Sequence, residues 1–135
     1  MRVDTLADII AGTPDLTTLT SLLRLAGLDS MLRGPGHYTL FAPTDEAFVY
    51  LRPGVLAALC ADLPRLRDVL SDHIVPGAFV AADLMDMPAV TALSGTRITL
   101  TSTHGLQVAQ SYLTQADQIT DNGVLHQIGA VLLLR

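Results

Sequence analysis

Thr39-Leu40-Phe41-Ala42-Pro43-Thr44-Asp45-Glu46-Ala47-Phe48 reads as a strand that runs into a helix. Tyr38 to Ala42 is apolar and aromatic, the composition of a buried strand. Pro43 has no N–H to donate and ends the ladder. Thr44 has the side chain of an N-cap, and Asp45 and Glu46 follow it at the positive end of the helix dipole. A second segment, Asn122-Gly123-Val124-Leu125-His126-Gln127-Ile128, opens on an Asn-Gly turn and reads as a strand to the end of the chain. Between them, His73-Ile74-Val75 reads as a short strand, followed by Pro76-Gly77.

Outward from the first segment, the N-terminal half has the helical period. Thr5, Leu6, Ile9 and Ile10 predict a short helix stopped by Gly12. Asp15 is placed to cap a second, with Leu16, Leu19, Leu22, Leu23 and Ala26 on one face and Gly27 as terminator. Leu28 to Leu32 adds a turn, and Gly34-Pro35-Gly36 is a loop. Pro53 suits the first turn of a helix through Cys60. Asp62 and Pro64 start another, carrying Leu66, Val69 and Leu70. Beyond His73 the period changes to 2. Ala81 to Met85 is a helical turn. Arg97-Ile98-Thr99-Leu100-Thr101 alternates with Ile98 and Leu100 inward, and His104-Gly105 turns the chain into Leu106-Gln107-Val108. Tyr112 and Leu113 begin a strand towards Ile119. Helices first and antiparallel strands later predict an α+β fold in one domain of 135 residues.

The string from Thr39 to Phe48, the His73 to Gly77 segment and the Asn122 to Ile128 segment resemble, in order, the three boxes of the fasciclin domain family. The resemblance covers the whole chain, residues 1–135, as a single domain. It rests on Phe41, Pro43, Thr44, Asp45, Phe48, His73, Pro76, Gly77, Asn122, Gly123 and His126. It implies an α+β wedge of two β-sheets with a helical layer beside them, formed mainly by the N-terminal half. It also implies a non-catalytic adhesion module that binds a cell-surface or matrix protein, leaves room for weak association between copies, and needs no cofactor. In animal matrix members an Asp-Ile pair has been linked to partner contact. Asp117 matches the aspartate, Gln118 stands at the apolar position, and Ile119 follows one step later. His73, Asp117 and Ile119 are therefore the expected contact residues. Asp72 precedes His73 where the family usually has Tyr, and Gly129 follows Ile128 where it usually has Asp. Asp72 falls at the negative end of a helix dipole, so Asp72→Tyr is expected to stabilise the domain. Gly129 is expected to weaken its strand or mark a bulge.

Composition narrows the partners. All eight cations are arginines, scattered along the chain, against thirteen carboxylates and a net charge of −5. Without a basic stripe, neither nucleic acid nor an anionic membrane surface is expected as a partner. Apolar runs such as Ile128 to Leu134 fall far short of the ~20 residues of a transmembrane helix. Cys60 is the only cysteine, so no internal disulfide forms; its apolar surroundings predict a small buried hydrophobe. The resemblance implies an extracellular, periplasmic or cell-surface location. The N-terminus, Met1-Arg2-Val3-Asp4, has no apolar core of a signal peptide. That leaves a cytoplasmic chain or one whose leader has been removed.

Catalytic patterns are missing from the sequence. The histidines at 37, 73, 104 and 126 fall on separate elements, and no His-Glu-X-X-His or paired cysteine spacing sets up a metal. For His73 and His126 the simpler reading is a ring satisfied by a backbone carbonyl. Asp45 and Glu46 are neighbours on a helix and do not face each other as an acid–base pair. The alternative to adhesion is a carrier of an apolar small ligand. A mean hydropathy of +0.43 and methionines at 31, 85 and 87 suit an adaptable groove.

Overall fold

The computed structural model describes residues 4–102, 105–109 and 111–132. Helix α1 (Leu6–Gly12) starts on a capping box, in which the Asp8 N–H donates to Thr5 Oγ1 and the Thr5 N–H to Asp8 Oδ2. Helix α2 (Thr17–Ala26) buries Leu19, Leu22, Leu23 and Ala26 and ends at Gly27, whose φ of 77° closes the last turn. Asp15 does not cap it. Residues Pro14–Leu16 form a 3-10 turn, and the capping carboxylate arrives from Asp45, far along the chain. Helix α3 (Asp29–Arg33), strand β1 (Tyr38–Pro43) and helix α4 (Asp45–Val49) follow, with the Ala47 N–H donating to the Thr44 hydroxyl. Helix α5 (Val55–Cys60) begins one residue after Gly54, in a left-handed N-cap, so Pro53 precedes the helix rather than opening it. Helix α6 (Leu63–Ser71) is capped by Asp62.

Strand β2 (Ile74–Pro76), helix α7 (Ala81–Leu84), and strands β3 (Ala89–Thr91), β4 (Arg97–Thr101), β5 (Gln107–Val108), β6 (Ser111–Thr120) and β7 (Gly123–Ile128) complete the described chain. The strand order is β2-β1-β7-β6-β5-β4-β3. Most neighbours are antiparallel as expected, but β1 and β7 pair in parallel, Tyr38 opposite Gly123 and Pro43 opposite Ile128. The two expected sheets are the flanks of this one order, and the ten-residue β6 serves both. The order curls until its ends meet: the Leu93 N–H, just past β3, donates to the Ile74 carbonyl of β2 at 2.6 Å.

Curling creates two cores. Leu6, Ile10, Leu19, Leu40, Ala42, Leu66, Ile74 and Leu125 pack between helices and sheet. Phe41, Val75, Leu84, Ile98, Leu100, Val108 and Ile128 pack inside the curl. Strand β1 lies between them, which explains its unbroken apolar run: both of its faces are buried.

Four further expectations need correction. Cys60 is exposed, because Leu59 takes the inward face of α5. Strand β7 ends at Ile128, so Gly129 lies beyond it; residues 133–135 fall outside the described chain. The hairpin turn is Asp121-Asn122, with Gly123 already paired opposite Thr120. Asp72 is fully buried and accepts a hydrogen bond from the Ser94 hydroxyl at 2.5 Å, so the reason to replace it with Tyr disappears. The expected turn at His104 lies outside the described residues.

Candidate functional site

Strand β6 departs from regular pairing beside β7. Gln115 pairs with Gln127 and Gln118 with Leu125, so three steps on β6 match two on β7. The extra residue is a β-bulge, and Asp117 occupies it with a φ of 63°. Aspartate tolerates this left-handed backbone better than most side chains. Opposite the bulge, His126 is fully buried and stacks on Phe41 at 5.8 Å between ring centroids.

His126 joins three segments. The Asp117 N–H donates to its Nδ1 at 3.1 Å, so Nδ1 carries no proton. Its Nε2–H then donates to the Phe79 carbonyl at 2.8 Å. Asp117 Oδ1 in turn accepts the Ala81 N–H at 2.7 Å, capping the first turn of α7. Burial lowers the His126 pKa below its ordinary value; the Phe79 bond and the Asp117 charge oppose this and do not overcome it. The bulge is thus held by backbone bonds on both sides, while the Asp117 side chain stays 47% exposed and Ile119 65% exposed. Asp117 and Ile119 are exposed two residues apart on β6.

His73 lies elsewhere. Its side chain is 1% exposed. Nδ1–H donates to the Val69 carbonyl at 2.8 Å, and Nε2 accepts the Leu132 N–H at 2.9 Å. The ring clamps the end of α6 to the segment after β7 and presents no atom to a partner. Burial drives its pKa down to about 4, against the opposing pull of the Val69 carbonyl and the Asp72 charge.

The other box residues hold the scaffold. Asn122 is buried; its Oδ1 accepts the Leu6 N–H at 2.8 Å, and its Nδ2 donates to the carbonyls of Leu32 at 2.6 Å and Gly34 at 2.9 Å. One side chain therefore ties the β6–β7 turn to the start of α1 and the end of α3. A Cβ on Gly123 would sit 1.9 Å from the Tyr38 carbonyl oxygen, so close approach to β1 requires glycine there. Gly77 has a φ of 103°, and its carbonyl accepts the Thr39 hydroxyl at 2.6 Å. Pro76 is the exposed last residue of β2. Phe48 is buried with the helices. Asp45 caps α2, accepting the Thr18 N–H at 2.7 Å and the Thr17 hydroxyl at 2.6 Å. Partial burial raises its pKa, and these bonds outweigh that effect and lower it.

Among the described residues, two of the surface concavities are roomy. A groove of about 370 Å³ runs along Val75, Pro76, Phe79, Met87 and Ala89 to Ala92, at the seam where β2 meets β3. Met87 is the only methionine lining it. A polar cleft of about 330 Å³ lies between Asp15, Thr44, Asp45, Glu46, Thr114, Gln115 and Gln127. Among the described residues no three His, Cys, Asp or Glu side chains converge as metal ligands. The bulge and the polar cleft have no local sequence signal; Asp117, as a residue tolerant of left-handed backbone, is the only hint.

The Fasciclin domain family model matches residues 14–134. Protein sll1735 of Synechocystis sp. is 34% identical over 129 residues, covering 96% of this chain and 97% of the relative. Transforming growth factor-beta-induced protein ig-h3 of Oryctolagus cuniculus is 29% identical over 129 residues, covering 95% of this chain and 19% of its own length. A solved FAS1 domain pair from the insect cell adhesion molecule Fasciclin I shares the fold, with a TM-score of 0.77 at 14% identity, over 96% of this chain and 51% of that one.

Proposed function

The chain belongs to the fasciclin domain family, and from that premise we propose that it is a non-catalytic protein-binding module acting in adhesion at a cell surface or in the extracellular matrix. The observation that carries this reading is the exposed Asp117–Ile119 surface on a bulge that His126, Phe79 and Ala81 hold in place. A contact aspartate on a preorganised backbone costs a partner little ordering entropy. Exposed Ile119 adds apolar area beside it. The partner is a cell-surface or matrix protein, and weak association between copies fits the same surface.

The test is attachment of cells, and of matrix proteins, to surfaces coated with the domain. Asp117→Asn removes the charge and keeps an oxygen for the Ala81 N–H. Ile119→Ser removes an exposed side chain. Each should reduce attachment severalfold at an unchanged melting temperature. Attachment equal to that of the parent would reject this surface, and no attachment by the parent would reject the function.

The open groove lined by Val75, Phe79 and Met87 favours a second reading, a carrier of an apolar small ligand. Native mass spectrometry after mild purification separates the two: a retained small-molecule mass supports the carrier, and a bare chain supports adhesion.

A further inference from the structure

The polar cleft contains a side-chain amide that no other described residue meets. Gln127 is 6% exposed, yet among the described residues neither atom of its side-chain amide has a hydrogen-bond partner. Both atoms keep some solvent access, and Gln127 lines the cleft, so the amide opens into it. A buried amide without a partner is unfavourable unless water or a ligand completes it.

The surrounding groups define what completes it. Asp45 is already occupied by its two bonds to α2. Glu46 receives one bond, at 3.3 Å from the Tyr50 hydroxyl through Oε1. The exposed Asp15 carboxylate, the second Glu46 oxygen and the amides of Gln115 and Gln127 remain open to a ligand. The lining holds three carboxylates and no cation. Its acceptors come from three separate parts of the fold: the turn before α2, the start of α4, and paired residues of β6 and β7.

We propose that this cleft receives the guanidinium of an arginine displayed on a partner protein. A planar group with five N–H donors in a fixed fork can reach acceptors spread over several elements at once. A lysine ammonium is a compact, strongly hydrated charge and matches such a spread less well. The acidic lining supplies charge complementarity. The cleft is distinct from the Asp117–Ile119 surface and shares no side chain with it, so either can fail without the other.

Titration of isotope-labelled protein with N-acetyl-arginine amide, and with the lysine analogue, reads the site directly by NMR. The arginine compound should shift the Gln127 and Gln115 side-chain amide signals saturably, with the lysine compound clearly weaker. Glu46 is exposed, so Glu46→Gln should fold normally and weaken arginine binding by about tenfold, as loss of a charge-assisted bond does. Gln127→Met should abolish the response while holding or raising the melting temperature, because it removes an unpartnered amide. Asp117→Asn should leave the titration unchanged. Three results would overturn the proposal: no saturable shift at Gln127, equal binding of the arginine and lysine compounds, or a marked loss of stability in Gln127→Met.

Discussion

Mild acid should weaken this domain through His73. In the fold both ring nitrogens are committed: Nδ1–H to the Val69 carbonyl, and bare Nε2 to the Leu132 N–H. A second proton would point Nε2–H at another N–H and place a charge in a site with 1% exposure. Burial accordingly lowers the pKa from 6.5 to about 4, against the pull of the Val69 carbonyl and the Asp72 charge. The unfolded chain takes up its proton first, so the stabilisation is fully present above the unfolded value and is lost as pH falls towards the folded one. From about pH 7.5 to about pH 5 the loss integrates to about 2 kcal/mol. That is a large part of a typical stability of about 5–15 kcal/mol. His126 is shifted the same way by burial and adds a further loss of the same sign. Urea denaturation of the parent and of His73→Gln across this range measures the effect. The parent should lose stability faster than the variant, which keeps only the slope from His126 and the carboxylates. The ring signal of His73 should show no titration above about pH 5. Identical slopes in the two proteins, or a His73 signal titrating near its ordinary value, would refute the argument.

Phe41→Ala should cost about 3–5 kcal/mol, since the ring is fully buried inside the curl against His126; a urea shift worth under about 1 kcal/mol would refute that packing. Gly123→Ala should cost about 3 kcal/mol by melting, because the new methyl meets the Tyr38 carbonyl, a backbone atom that cannot turn aside. Gly12→Ala, with nothing within 4 Å, is its neutral control. Asp72→Asn and Asp72→Tyr should both lower the melting temperature, the first by about 1–3 kcal/mol through its disturbed bond to Ser94 and the second also by overpacking. A higher melting temperature in either would restore the reading of Asp72 as an unfavourable charge at the end of α6.

The sequence alone determined the local elements. Strand β1 running into the Thr44-capped α4, the apolar face of α2 with Gly27 at its end, the Asp62–Pro64 start of α6 and the alternation of β4 all rest on interactions a few residues apart. Caps, backbone preferences and side-chain period are properties of the nearby chain, so they can be read without knowing the fold. The family boxes were legible for the same reason, being short strings. Tertiary structure decided which strand β1 pairs with, that its partner β7 runs parallel, and that Asp45 caps a helix other than its own. It also decided the fate of the polar residues. For His73 the sequence offers a contact or a ring satisfied by a backbone carbonyl; the structure has the second, with nearby Val69 as acceptor and distant Leu132 as donor. Asp72 reads as a carboxylate at the unfavourable end of a helix dipole and is in fact buried, where Ser94 meets it. Gln127 is a nearly buried residue of β7 whose amide meets no other described residue and opens into the polar cleft. A buried polar side chain is costly unless a partner meets it, and where that partner is a distant segment its arrival is set by long-range pairing that leaves no mark in the neighbouring sequence.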